Sequence, residues 1–123
     1  MLNEDGSPRN VAKSPRRPMF RLAGDAPSRS ILGADLVVLA VGAESMMTKM
    51  LYKAIDFVPA HAHPSEQCAY VVSGQYVVVC RGMSQVIAAG DSYSIPRYVE
   101  HSLEIIEPGE IICVFTPPPK DYL

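Results

Sequence analysis

The chain has 123 residues, 48% apolar and 20% charged, with a formal net charge of −2. That length and composition suit one domain with a buried core, and the charge offers no cationic excess for a polyanion, so nucleic acid is not an expected partner. The longest apolar run, residues 36–41, falls far short of the about 20 that span a bilayer, and no basic segment leads into an apolar leader at the amino terminus; no membrane association and a cytoplasmic address are expected.

Residues 1–30 differ in character from the rest. They hold six of the eleven Lys and Arg and four prolines, Pro8, Pro15, Pro18 and Pro27, whereas the remainder carries ten acids against five bases. The basic stretch Lys13-Ser-Pro-Arg16-Arg17-Pro has no aromatic interleaving of the kind that binds nucleic acid. Residues 1–30 therefore read as a flexible or packed-over arm, and residues 31–123 as a single domain.

From Ile31 onward short strands alternate with turn signals at a spacing of about 8–12 residues, which predicts an all-β sandwich or barrel. The expected strands are 36–41, 48–57, 61–63, 67–73, 76–80, 85–88, 92–95, 101–106 and 111–115, with turns at residues 41–43, 73–74, 81–82, 89–91 and 107–109. The β-branched runs 77–80 and 111–115 are too short for helices and predict strands buried on both faces. Cys68, Cys80 and Cys113 are odd in number and form no C-x2-C pair, so they are expected to be free, buried thiols.

His61, His63 and His101 are all the histidines of the chain. His61 and His63 are separated by one residue, and alternation along a strand would point both to one face, as a pair of metal ligands requires. Gln67 lies four residues after His63, and Ser73-Gly74 ends the apolar run that follows it. Gly90-Asp91 opens a second cluster in which Pro96 stands six residues after Gly90 and His101 five after Pro96.

This arrangement resembles the two motifs of the cupin superfamily, G-x5-H-x-H-x(3,4)-E-x6-G and G-x5-P-x-G-x2-H-x3-N. His61, His63, Gly74, Gly90, Pro96 and His101 fall on the pattern; Ile55, Gln67, Tyr98 and Ile105 replace its Gly, Glu, Gly and Asn. The resemblance implies a double-stranded β-helix (a jelly roll, or cupin barrel), usually assembled as a homodimer by packing sheet on sheet. It further implies a divalent transition metal, Zn, Mn, Fe or Ni, held by His61, His63, Gln67 and His101. Glu66 is the rival for the fourth position, but alternation turns it away from the face of Gln67. An amide in place of a carboxylate leaves a divalent site at +2 and favours an anionic ligand.

The tail Cys113-Val-Phe-Thr-Pro-Pro-Pro-Lys-Asp-Tyr-Leu123, with H-P-S-E-Q-C-A-Y-V and A-G-D-S-Y, is similar to the pectin degradation proteins, small cupins that ketonise 4,5-unsaturated uronates. That resemblance makes Phe115 a pocket residue. The family's proton-transfer Asp falls on Cys113 and its substrate-holding Arg on Pro119, with Lys120 as a cation one residue later. The candidate pocket is thus Cys113, Phe115, Lys120 and Tyr52. The expected activity is Lewis-acid isomerase or lyase chemistry on a small anionic substrate, a carboxylate or sugar acid. The alternatives are a ligand-binding barrel without turnover and an Fe(II)-dependent dioxygenase.

Overall fold

The computed structural model describes residues 19–31 and 34–123. Among the described residues there are ten strands: β1 (Ser28–Ile31), β2 (Ala34–Val41), β3 (Met46–Tyr52), β4 (Asp56–His61), β5 (Glu66–Val71), β6 (Gln75–Cys80), β7 (Met83–Ala88), β8 (Ser92–Ile95), β9 (His101–Glu107) and β10 (Gly109–Thr116). They form two antiparallel sheets, one of six strands in the order β1-β2-β3-β10-β5-β8 and one of four in the order β4-β9-β6-β7. The expected all-β jelly roll is the architecture found. Among the described residues no helix is long and apolar enough to cross a membrane.

Alternation decides what each strand buries. In β5, Gln67, Ala69 and Val71 are buried and Glu66, Cys68 and Tyr70 are exposed; in β10, Ile111, Cys113 and Phe115 face inward. The inward positions change character along the strands. At one end Val71, Ile111, Ile105, Tyr76 and Leu36 are sealed from solvent, each burial being worth about 1.5–3 kcal/mol, and they hold the sheets together. Four positions back along β5 and β9, and four forward along β10, the inward residues are Gln67, His101 and Phe115. The apolar end thus fixes the sandwich, and the other end is left for chemistry.

Several expectations about boundaries are corrected. Residues 48–57 are two strands in different sheets, because the chain leaves β3 after Tyr52 and enters β4 at Asp56. Residues 61–63 do not form a strand: His61 closes β4 and His63 lies in the loop leading to β5. The run 77–80 is not buried on both faces, since Val78 is buried and Val79 exposed; Ile112 and Val114 of β10 are likewise half-buried on the outer side. Cys68 is exposed and Cys80 intermediate, leaving Cys113 as the one fully buried thiol among the three.

The end of the stretch read as an arm belongs to the six-stranded sheet, where Ser28 of β1 pairs with Val37. Pro27 O accepts from Val38 N at 2.9 Å, and Arg21 Nε donates to Leu39 O. Residues 1–18 lie outside the described residues.

Two turns show what the sheet connections demand. Gly74 sits at φ +90°, and a Cβ there would meet Glu107 O at 2.7 Å, so no other residue fits this strand end. Tyr98 stands at φ +64° in the loop before β9, a left-handed conformation in the position where the resembled motif has Gly.

Candidate metal and ligand site

His61 reaches the interior through an irregularity in β4. Val58 pairs with Leu103 and His61 with His101, so three residues of β4 span two of β9. The extra residue is a β-bulge, which returns His61 to the face that Val58 occupies. Pro59 lies inside it, where its missing N–H costs the ladder nothing.

His101 is therefore the cross-strand partner of His61 within one sheet. Gln67, on β5, is the one that comes from the opposite sheet. His63 approaches from the connecting loop, which is fixed at several points. Tyr98 N donates to His63 O at 2.8 Å, Arg97 Nε to Pro64 O at 2.6 Å, and the buried Ser65 hydroxyl to Pro117 O.

The three imidazoles converge, with potential ligand atoms all within 4.8 Å of one another. Ring centroids are 4.4 Å apart for His61 and His101 and 4.9 Å for His63 and His101. Each Nδ1 meets a backbone carbonyl: His61 that of Pro59 at 2.9 Å, His63 that of Ser65 at 2.8 Å, and His101 that of Val99 at 3.0 Å. A carbonyl only accepts, so each Nδ1 carries the proton and each Nε2 keeps its lone pair, the tautomer of a metal-ligating histidine.

Gln67 adds to the cluster. Its Oε1 stands 3.1 Å from His63 Nε2, and its Nε2 donates to Cys113 Sγ at 3.4 Å. With His63 in the tautomer above, the amide oxygen and the ring nitrogen present lone pairs to the same space, as two ligands of one cation do. Three histidines so arranged could hold a metal ion, and this donor set fits one. Burial, with help from the neighbouring His61 and His63, holds the His101 pKa below its usual value against the opposing bond to Val99 O. His101 accordingly stays neutral, as a ligand must.

The cluster lines an inner chamber of about 40 Å3, together with Tyr52, Tyr93, Phe115, Tyr122, Leu103 and others. That is room for an ion and a few waters, each needing about 10–15 Å3 by this measure, and not for a sugar. His61, His63, Ile31 and Tyr122 also line an outer vestibule of about 600 Å3, walled by Pro117, Pro118, Pro119, Lys120 and Asp121. Drug-sized ligands occupy cavities of about 300–1,000 Å3. The Phe115 ring, on the wall of the inner chamber, stands edge-on to His63 at 5.6 Å and to Tyr122, which lines both spaces, at 5.4 Å.

The pocket residues read from the sequence fall into three places. Tyr52 and Phe115 line the chamber, while Lys120 lies exposed in the short 3-10 turn Lys120–Tyr122 at the vestibule. Cys113 lies behind Gln67 and lines neither space. Burial pushes its thiol up to about 12, opposed by Gln67 and Thr48, so it is no ready proton donor or base. Glu66 is exposed on the outer face, which removes it from the site.

Sequence reasoning missed Tyr93 and Tyr122. Tyr93 was recoverable by counting two residues back from the apolar Ile95 on one strand. Tyr122 left no signal, because it is positioned by the fold-back of the tail. Burial raises the pKa of Tyr52, Tyr93 and Tyr122, so all three phenols stay protonated. Among the described residues the Tyr52 and Tyr93 hydroxyls have no hydrogen-bond partner.

A family model described as Cupin domain matches residues 50–115. No curated protein matches the sequence. Among solved structures, an RmlC-like cupin from Shewanella frigidimarina superposes with a TM-score of 0.79 at 28% identity, covering 86% of this chain and 96% of its own. KdgF from Halomonas sp. gives 0.76 at 22% identity, with 85% and 97% covered. Bacillus subtilis oxalate decarboxylase, a protein with Mn(II) centres, gives 0.70 at 20% identity; 90% of this chain is covered, but only 32% of that one. The latter two are similarities of fold.

Proposed function

The chain belongs to the cupin family, and we propose that it is a divalent-metal cupin acting on a small anionic substrate, a carboxylate or sugar acid, by isomerase or lyase chemistry. The observation that carries this reading is that each Nδ1 of His61, His63 and His101 meets a backbone carbonyl while potential ligand atoms of the three rings lie within 4.8 Å of one another, so that one common tautomer leaves every Nε2 lone pair for a cation. With Gln67 Oε1 they make a set of three nitrogens and one oxygen, suited to Zn, Mn, Fe or Ni. When bound, such an ion supplies Lewis acidity toward a substrate oxygen.

The chain's own residues favour an anion. Gln67 contributes no charge, so the four ligands leave a divalent site uncompensated. Lys120 at the vestibule offers a cation to a second acidic group of the substrate, and Tyr122, packed edge-on against Phe115, lines both the vestibule and the chamber. Tyr52 and Tyr93, both protonated, supply hydrogen-bond donors at the chamber wall. A proton needed in an isomerisation comes from water, because among the described residues no carboxylate lines the inner chamber and burial holds the phenols in their protonated form. That same shortage favours a second reading, capture of an anionic ligand without turnover.

Resemblance to the uronate-ketonising cupins supplies the first substrate to test. Metal-loaded protein should accelerate the loss of absorbance of a 4,5-unsaturated uronate over its spontaneous rate, and a chelator should abolish the acceleration. Lys120→Gln should raise KM about 10-fold, the usual scale for one charge-assisted contact. Metal-dependent binding of the uronate with decay at the spontaneous rate would replace the enzyme reading by ligand capture. We also propose a homodimer formed through the outer face of the six-stranded sheet, supported by the outward row Met47, Val114 and Cys68 beside Ile112 and Tyr70.

A further inference from the structure

Gln67 can serve a cation only if its amide oxygen, and not its NH2 group, faces the histidines. The two ends of an amide have nearly the same shape, so packing alone does not choose between them. The choice depends on what stands behind the side chain, and there the structure has a thiol. Gln67 Nε2 donates to Cys113 Sγ at 3.4 Å, in the buried layer between the site and the sheet backbone.

A second buried group completes the arrangement. Thr48 is the cross-strand partner of Cys113, and its Oγ1 is sealed from solvent with no bond that meets hydrogen-bond geometry. The Thr48 hydroxyl and the Cys113 thiol are thus cross-strand neighbours in one buried layer, and the sulfur accepts from the Gln67 amide. The sequence of contacts runs Thr48, Cys113, Gln67, His63, and each member faces the next across the interior of the six-stranded sheet or from it to the loop.

We propose that Cys113 is a positioning residue: its sulfur accepts the Gln67 NH2 and thereby turns the Gln67 oxygen toward the three imidazoles as the fourth donor. This rests on the metal-site reading above. It gives position 113 a role that needs no proton transfer.

The test uses the full chain and Co(II) as the probe, with affinity taken from competition titrations followed by visible absorption. Cys113→Ser keeps a group that donates and accepts, and should bind Co(II) within about 3-fold of wild type. Cys113→Ala keeps the backbone but removes the acceptor, and should lose about 10–100-fold, the range for deleting an outer-shell partner. In a Gln67→Leu background the same Cys113→Ala change should cost nothing further. A metal-free readout accompanies it: the Gln67 side-chain NH2 signals should show protection from solvent exchange in wild type and Cys113→Ser, and lose it in Cys113→Ala. Wild-type affinity and unchanged protection in Cys113→Ala would overturn the proposal, as would an equal loss with and without Gln67. Protection lost in Cys113→Ala, in a wild type that binds no Co(II), would overturn the metal-site reading while leaving the thiol–amide contact standing.

Discussion

His61 stands directly opposite His101 in the ladder between β4 and β9, and it does so because β4 contains one residue more than its partner between Val58 and His61. Without that bulge, alternation from the buried Val58 would put residue 60 inside and residue 61 outside. Deleting Ala60 should therefore remove the bulge and leave His61 two positions after Val58, still inward and opposite His101 in a regular ladder. The expected result is a folded sheet protein by circular dichroism that keeps Co(II) affinity within about 10-fold (~1.4 kcal/mol) of wild type. A loss of about 100-fold or more in the deletion variant would show that pairing with His101 is not what aims His61.

Tyr98 gives a prediction about stability. It holds φ +64°, is largely exposed, and contacts Arg97 only through a cation lying 5.7 Å from its ring. A left-handed conformation costs a non-glycine residue about 1–2 kcal/mol, and glycine's added freedom in the unfolded chain returns about 0.4–1 kcal/mol of that. Tyr98→Gly should raise stability by about 0.5–1 kcal/mol in urea unfolding, on the balance of these terms. The backbone bond from residue 98 to His63 O is retained, so metal affinity should stay within about 3-fold (~0.6 kcal/mol).

The metal-free protein should lose stability on mild acidification. Burial, together with the neighbouring His61 and His63, lowers the folded-state pKa of His101 from its usual 6.5. As pH falls below that value the unfolded chain takes up a proton that the folded one resists, so unfolding gains. The loss sets in below the unfolded value and is complete once pH passes the folded one. The urea midpoint of the chelated protein should thus fall between pH 7.5 and pH 5.5 (a window about one unit either side of the unfolded value), and fall less in His101→Asn. An equal decline in both proteins would remove His101 as the cause.

Cys68 and Cys113 report on assembly. Cys68 lies on the outer face of β5 opposite Val114, whereas Cys113 is sealed inside with its thiol raised to about 12. Sedimentation should give a species of twice 13.4 kDa at micromolar concentration. Cys68 should react with a thiol reagent faster on dilution, as the covering sheet leaves. Cys113 should react only after denaturation. A 13.4 kDa species with concentration-independent Cys68 labelling would exclude the dimer through this face.

Much of the fold was legible because alternation is a local property. Gln67 inward with Glu66 outward, and Ile111, Cys113 and Phe115 on one face, follow from counting by two. What counting could not reach were events that depend on partners distant in the chain. The β4 bulge exists only relative to β9, so His61 and His63 share a site although they do not share a strand. The same limit hid which histidine neighbours which: His101 pairs beside His61, and Gln67 crosses from the other sheet. Tyr122 enters the chamber because the tail folds back, held where Ser65 binds Pro117 O, a contact between residues 52 apart. Cys113 was placed on the right face but one layer too far forward, since periodicity gives direction and not depth.

The central claim is that His61, His63, His101 and Gln67 together hold one divalent ion. Elemental analysis of the full chain, purified without added metal and again after dialysis against Co(II), Mn(II), Ni(II) and Zn(II), tests it most directly. The account predicts one transition-metal ion per chain, absent from His101→Ala while that variant remains folded. A wild-type chain that carries no ion and takes up none of the four, or a His101→Ala variant that keeps a full equivalent, would contradict it.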